Sequence, residues 1–387
     1  MMKRNKNITT ILIAILCNLN LFSQQVGHTT FTYTDASRNN RQITTEVYYP
    51  ASSSGNNAPI SAGVFPLVVC GHGFVMTWSA YENIWTALVP EGYIVAFPTT
   101  ENGFSPVHSE FGLDLKFLVT EIQNIGAGPS VPYSSVGNTS AIMGHSMGGG
   151  ASFLAAANNN FTSTMISFAA ANTNPSSITA ATKVSVPTLL FSGANDCVTP
   201  PAQHQNIMYD STSAAYKTQV YITGGGHCYF AENNLNCSFG EATCSPSPTI
   251  TRLEQQNTMS DFMKMWLSYF LKGDCNKAQE FQDSLFASQR ITYRQSQSIA
   301  CPTAIVETNA QENNVSVFPN PTFGNITVQS KLEELWQIII YDLEGRKVFG
   351  FDFKNKSTKE ILDISMLKNG TYFLKINTHN HKIVITH

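Results

Sequence analysis

At 387 residues and 42% hydrophobic content, the chain is long enough to bury a full core and to hold more than one domain. Only 13% of residues are charged and the net charge is −3, which excludes the basic surface that nucleic-acid binding requires. Past the N-terminal leader, no segment is long and apolar enough to cross a bilayer.

The N-terminus reads as an export leader. Lys3, Arg4 and Lys6 precede an apolar stretch over 8–16 that is too short to span a membrane, and Ser23 offers the small residue before a cut. Residues 1–23 are therefore set apart as a signal peptide. Cys17 follows the large Leu16, which argues against a lipoprotein cut at that point.

From there, residues 29–50 alternate apolar and polar positions, with Phe31, Tyr33, Ile43 and Val47 on one phase, and predict two edge strands joined by a polar turn at 37–41. Residues 65–70 form a short continuous apolar run of the doubly covered kind and lead into Gly71-His72-Gly73-Phe74. The pattern continues as helix 81–89, strand 93–97, helix 109–124, strand 140–143, helix 147–158 and strand 164–169. Strand 188–191, helix 202–209, strand 218–222 and a long helix over 249–271 follow. That last helix sets Leu253, Met259, Phe262, Trp266 and Phe270 on one broad face and stops at Gly273. Strands alternating with helices predict an α/β domain over 24–301, a mostly parallel sheet with helices on both faces. After Cys301 a polar linker over 302–314 leads to strands and turns over 315–387, which predict a small all-β sandwich.

Chemistry concentrates in the first domain. Gly144-His145-Ser146-Met147-Gly148 sits between an apolar strand and a small-residue helix, the context a nucleophile elbow needs. A chain that reverses this sharply strains the serine backbone and leaves room only for glycine beside it. Serine attacks only when a base takes its proton and a third group holds that base. The strand over 188–191 opens into Asn195-Asp196-Cys197, and the strand over 218–222 opens into Gly225-Gly226-His227. The order Ser, Asp, His assigns Ser146 as nucleophile, Asp196 as orienting acid and His227 as general base. The backbone N–H groups of Met147 and Phe74 are the candidate oxyanion hole. Phe74, Trp78, Tyr229 and Phe230 are candidate apolar walls for a substrate. His72 and His145 read as structural, Asp114 and Asp210 fall within helices, and His108 and His204 lack a second ligand at metal-binding spacing. The expectation is an enzyme with no metal and no cofactor.

Seven of the eight cysteines lie beyond the leader, and in an exported chain they are disulfide candidates with one left over. Cys70 ends an apolar strand and reads as the buried thiol. The other six admit fifteen pairings. The preferred set joins Cys275 to Cys301, Cys237 to Cys244 across a short loop, and Cys197 to Cys228, the successors of Asp196 and His227.

The elbow, the glycine-aromatic loop, the Asn-Asp-x-x-x-Pro loop and the Gly-Gly-x-His loop together resemble the α/β-hydrolase superfamily, and within it the secreted cutinase-like and PET-hydrolase-like esterases. The likeness runs over about 65–301. It implies a secreted serine carboxylic-ester hydrolase that forms an acyl-enzyme, acts on esters including polyesters, and works as a monomer. Polyester hydrolases of this group carry a tryptophan just past the strand after the nucleophile helix, where this chain reads Ala169-Ala170-Ala171-Asn172-Thr173-Asn174. The stretch over 171–186 is too short for a lid, so the cleft is expected to be open. The insertion over 229–248, with its own cysteine pair, departs from the family pattern.

The tail resembles the type A C-terminal sorting domain of the type IX secretion system, carried by Phe318-Pro319-Asn320-Pro321, Tyr341-Asp342-Leu343-Glu344-Gly345-Arg346 and Gly370-Thr371-Tyr372. That resemblance implies export past both membranes, secretion machinery as a partner, and removal of the tail. Two competing readings stand beside the esterase: a serine peptidase on the same fold, and a non-catalytic surface or carbohydrate-binding protein. The first lacks the separate gating domain such peptidases carry, and intact Ser146, Asp196 and His227 argue against the second.

Overall fold

Strand β1 (Gln25–Asp35) pairs with β2 (Arg41–Ala51) in a long antiparallel hairpin. Its turn is made by Asn39 and Asn40, both at positive φ, a conformation asparagine tolerates. The computed structural model to which these strands belong describes residues 24–158, 161–301, 315–330, 335–343, 345–377 and 379–386. The expected leader over 1–23 and linker over 302–314 lie outside the described residues. The chain divides into two compact units, 1–301 and 302–387.

In the first unit, the two-residue β3 (Gly55–Asn56) is followed by β4 (Phe65–Gly71), α1 (Glu82–Leu88), β5 (Ile94–Pro98), α2 (His108–Ile125), β6 (Val136–His145) and α3 (Met147–Ala156). Then come β7 (Thr164–Phe168), α4 (Ser177–Ala181), β8 (Thr188–Gly193), α5 (Gln205–Ser211), β9 (Lys217–Ile222), α6 (Leu235–Glu241), α7 (Arg252–Lys272), α8 (Cys275–Ala287) and β10 (Ile291–Gln295). The strands form one ten-stranded sheet in the order β10-β9-β8-β7-β6-β4-β5-β2-β1-β3. Strands β4 to β9 are parallel, so all their carboxyl ends meet one edge.

The apolar central strands are buried on both faces for a simple reason. Successive side chains point to opposite sides. Val68, Cys70, Val95, Phe97, Ala141 and Met143 pack with α1, α7 and α8 on one side, and Leu67, Val69, Ile94, Ala96 and Ile142 pack with α2 and α3 on the other. Helix α7 opens with a capping box between Thr251 and Glu254 and ends at Gly273 in the left-handed region. Its buried face is Met259, Phe262, Met263, Trp266 and Leu267, whereas Leu253, placed on that face by the sequence pattern, is exposed. Beyond α7 the chain adds α8 and the antiparallel β10, which the sequence pattern did not predict.

In the second unit, β11 (Val315–Phe318), β12 (Asn325–Ser330), β13 (Leu335–Tyr341), β14 (Lys347–Ser357), β15 (Lys359–Asp363), β16 (Gly370–Ile376) and β17 (His379–Ile385) form two antiparallel sheets, β11-β12-β15 and β14-β13-β16-β17. Residues from both, including Ile326, Val328, Leu362, Ile338, Ile340, Leu374 and Ile383, share one apolar core. This is a sandwich.

Candidate active site

Four loops at the carboxyl edge of the parallel strands build the site. The elbow comes first. Strand β6 ends at His145, Ser146 takes φ 55° and ψ −117°, and α3 begins at Met147. A serine held there costs about 1–3 kcal/mol, offset by the fixed hydrogen bonds Ser146 N–H to the Phe168 carbonyl (2.9 Å) and Ala171 N–H to the Ser146 carbonyl (2.9 Å). The flanking glycines are required by space. A Cβ on Gly144 would lie 2.3 Å from the Gly148 carbonyl oxygen, and one on Gly148 would lie 2.2 Å from that of Gly71.

Three side chains meet above the elbow. His227 Nε2 lies 2.9 Å from Ser146 Oγ, and His227 Nδ1 lies 2.8 Å from Asp196 Oδ2. The other carboxylate oxygen, Oδ1, accepts the backbone N–H groups of Val198 (2.9 Å) and Thr199 (2.8 Å). Burial opposes charge on Asp196, but His227 and the two donor groups of Thr199 hold its carboxyl below the ordinary range. An ionised Asp196 can only accept, so the Nδ1 proton points at it and Nε2 presents a lone pair to the Ser146 hydroxyl. Asp196 thus caps its own turn and orients the imidazole at once.

Thr199 was not singled out by the sequence. Its hydroxyl lies 2.9 Å from Asp196 Oδ2 and 3.1 Å from His227 Nδ1, and Gln205 braces it from α5. The three-residue spacing from Asp196 to Thr199 is the only sequence signal, and it is shared with any capped turn.

The candidate oxyanion donors, the N–H groups of Phe74 and Met147, meet no acceptor among the described residues. Phe74, Met147 and Ser146 line the same cleft. The loop bearing Phe74 is tied to the elbow by a relay. Gly73 N–H donates to the Tyr81 hydroxyl (2.7 Å), which donates to His145 Nδ1 (3.0 Å), while His145 Nε2–H donates to the His227 carbonyl (3.0 Å). Burial, reinforced by the neighbouring His227, pushes His145 down to about 3, so the ring is neutral and carries its proton on Nε2. His72 is also buried, with Nε2 2.8 Å from the Thr100 carbonyl. Asp114 and Asp210 lie in α2 and α5, and Asp114 is held by Arg41.

The cleft has a volume of about 480 Å³. Phe74 is on its wall, but Trp78, Tyr229 and Phe230 are not. Phe230 is 1% exposed and packs into the core against Phe168, Tyr229 lies under the Arg252 guanidinium at 4.6 Å, and Trp78 packs partly buried on the same core. The short helical turn over Cys228–Phe230 buries the Phe230 side chain. The wall that sequence reasoning missed is Phe104, 82% exposed and edge-on to Phe74 at 6.4 Å. It sits in an irregular loop where no periodicity marks it. The small and polar Ala171, Asn172 and Thr173 also line the cleft.

The disulfides correct two expected pairings. Cys275 joins Cys301, but Cys197 joins Cys244 and Cys228 joins Cys237. Cys237 lies inside α6 and Cys244 beyond its end at Glu241, so the helix stands between the two thiols and each pairs with a different loop. The insertion therefore staples to the Asp196 loop and the His227 loop separately. Cys70 is the buried free thiol, and burial pushes its ionisation up.

Two family models match the chain. One described as PET hydrolase-like covers residues 21–279. The other, described as secretion system C-terminal sorting domain, covers residues 316–386. No curated protein compared with the chain matches it.

Proposed function

The chain belongs to the PET hydrolase-like family, and on that premise we propose a serine carboxylic-ester hydrolase that works through an acyl-enzyme. In this reading Ser146 Oγ attacks the ester carbonyl as its proton passes to His227 Nε2. Asp196 stabilises the imidazolium, and the N–H groups of Phe74 and Met147 stabilise the oxyanion. The imidazolium then protonates the leaving alcohol. Water, deprotonated by the same nitrogen, releases the acid and restores Ser146.

The observation that carries this reading is the unbroken line from Ser146 Oγ through His227 to Asp196, at 2.9 and 2.8 Å, with the tautomer fixed by the carboxylate. Between β7 and β8 the described residues hold just the short α4, too little for a lid domain at that point, and the exposed rings of Phe74 and Phe104 offer an apolar wall to bulky esters and polyester chains. The C-terminal sorting domain routes the protein through type IX secretion to the outer surface or beyond it, where such polymers are met.

Turnover of p-nitrophenyl butyrate, absence of turnover on a peptide p-nitroanilide, and loss of the first activity in Ser146→Ala are the expected results. Peptide cleavage without ester cleavage would overturn the reading. Product analysis on a short ester, an aliphatic polyester and an aromatic polyester sets the substrate range.

A further inference from the structure

The loop that carries His227 has its main-chain groups taken up one after another by side chains from other elements. Gln255 of α7 accepts the Gly226 N–H and donates to the Gly226 carbonyl, both at 2.9 Å. Glu241, the last residue of α6, accepts the N–H of His227 and, at 3.2 Å, that of Cys228 through the same oxygen. His145 takes the His227 carbonyl, and Arg252 donates to the carbonyls of Cys228 and Ala231. Loop main chain ordinarily turns to water for these bonds. Here the protein supplies them.

Glu241 stands apart from the other three. It grips the peptide N–H of the base itself, and a charged acceptor makes such a bond about twice as strong as a neutral one. It is also delivered by an insertion fastened to the site at three further points. Cys237 is bonded to Cys228, next to the base, and Cys244 is bonded to Cys197, next to the acid. Asn236 Nδ2 donates to the Val75 carbonyl at 2.9 Å, in the oxyanion loop. Val75 holds φ 53°, a conformation that a β-branched residue strongly disfavours, so that loop needs an outside hold. One short helix and the turn that follows it thus touch the acid, base and oxyanion loops.

We propose that Glu241 is a positioning residue for the base, acting through the His227 main chain, and that α6 with the turn after it sets the three loops in register. The proposal rests on the reading of Ser146, Asp196 and His227 as the reacting groups. The imidazole is a rigid lever on that main chain. A shift of the peptide is passed to Nε2, and a misplacement on the order of 1 Å can cost about 100-fold in rate.

The test is steady-state kinetics on p-nitrophenyl butyrate with the full chain, its disulfides verified by mass without reductant. Glu241→Ala is expected to lower kcat about 10- to 100-fold with KM within about twofold. Glu241→Gln keeps an acceptor oxygen at the same reach and should recover kcat to within about threefold of the parent, whereas Glu241→Asp, one methylene short, stays low. Parental kcat in the Ala or Asp variant, a loss carried by KM alone, or a Gln variant no better than Ala at equal melting temperature would overturn the proposal. Should Glu241→Ala fail to fold, the Asp and Gln variants decide it: Asp low and Gln high supports it, and equal values refute it. Ser146→Ala is run beside them. Activity surviving in that variant sinks the assignment of reacting groups, a failure distinct from any result at Glu241.

Discussion

His145, the residue before Ser146, donates from Nε2 to the main-chain carbonyl of His227 at 3.0 Å. The elbow and the base loop are therefore joined through backbone as well as through Ser146 and His227 side chains. The bond requires a neutral His145 with its proton on Nε2 and a lone pair on Nδ1 for the Tyr81 hydroxyl.

That requirement makes stability depend on pH. The folded chain holds His145 near 3, against an ordinary 6.5. Between those values the unfolded chain binds a proton that the folded chain refuses, so stability is complete above about 6.5 and is lost as pH falls toward 3, by about 1.4 kcal/mol per pH unit. In urea titrations His145→Gln, which cannot take up that proton, should show an acid slope shallower by one proton, alongside lower stability at pH 8. An unchanged slope would mean that His145 titrates normally in the fold.

Replacing Asp196 by asparagine tests the tautomer. Oδ1 is committed to the Val198 and Thr199 N–H groups, so the amide would turn its NH₂ toward His227. Nδ1 would then become the acceptor, the proton would move to Nε2, and the lone pair facing Ser146 would be gone. Asp196→Asn is expected to lose about 10⁴-fold in kcat at neutral pH with its fold intact. A loss under about tenfold would show that His227 needs no such orientation.

Much of this was legible in the chain because the features involved are local. Gly144 is dictated by a backbone contact within the turn and Gly148 by the close approach of Gly71 at the end of β4, and the continuous apolar run of 65–70 follows from cover on both faces of β4. Asp196 and His227 each follow an apolar strand directly. What escaped depends on how distant segments come back. Whether Cys237 reaches Cys244 or Cys228 turns on the helicity of α6, a seven-residue element too short for a pattern to announce, whose apolar Leu235 and Phe239 are both exposed. Phe230 follows His227 at a spacing suited to the cleft, but a single helical turn points it into the core. Glu241 carries no signal, since its partners are main-chain groups that any residue would offer.

The corrected disulfides separate stability from catalysis. Loop closure over 47 residues makes the Cys197–Cys244 bridge worth about 4 kcal/mol on chain-entropy grounds, and the 26-residue Cys275–Cys301 bridge about 3.5. Replacing either pair by serines should therefore lower the melting temperature comparably. Only the first pair adjoins Asp196, so only its loss should also reduce kcat, measured well below the melting transition. Equal kcat in the two variants would show that the staple serves folding alone.

Phe104 offers a test of the cleft that leaves the fold untouched. Its ring is 82% exposed, so Phe104→Ala removes almost no buried area, and stability should stay within about 0.5 kcal/mol of the parent. The ring meets Phe74 edge-on at 6.4 Å and lines the same cleft as Ser146, where an extended substrate is expected to reach it and a short ester is not. KM for a bulky aromatic diester should rise several-fold in the variant, by roughly the 1 kcal/mol an aromatic pair contributes, while the kinetics on ethyl butyrate stay as they are. Equal effects on both esters would place the ring at the reacting carbonyl, and no effect on either would remove it from the binding surface.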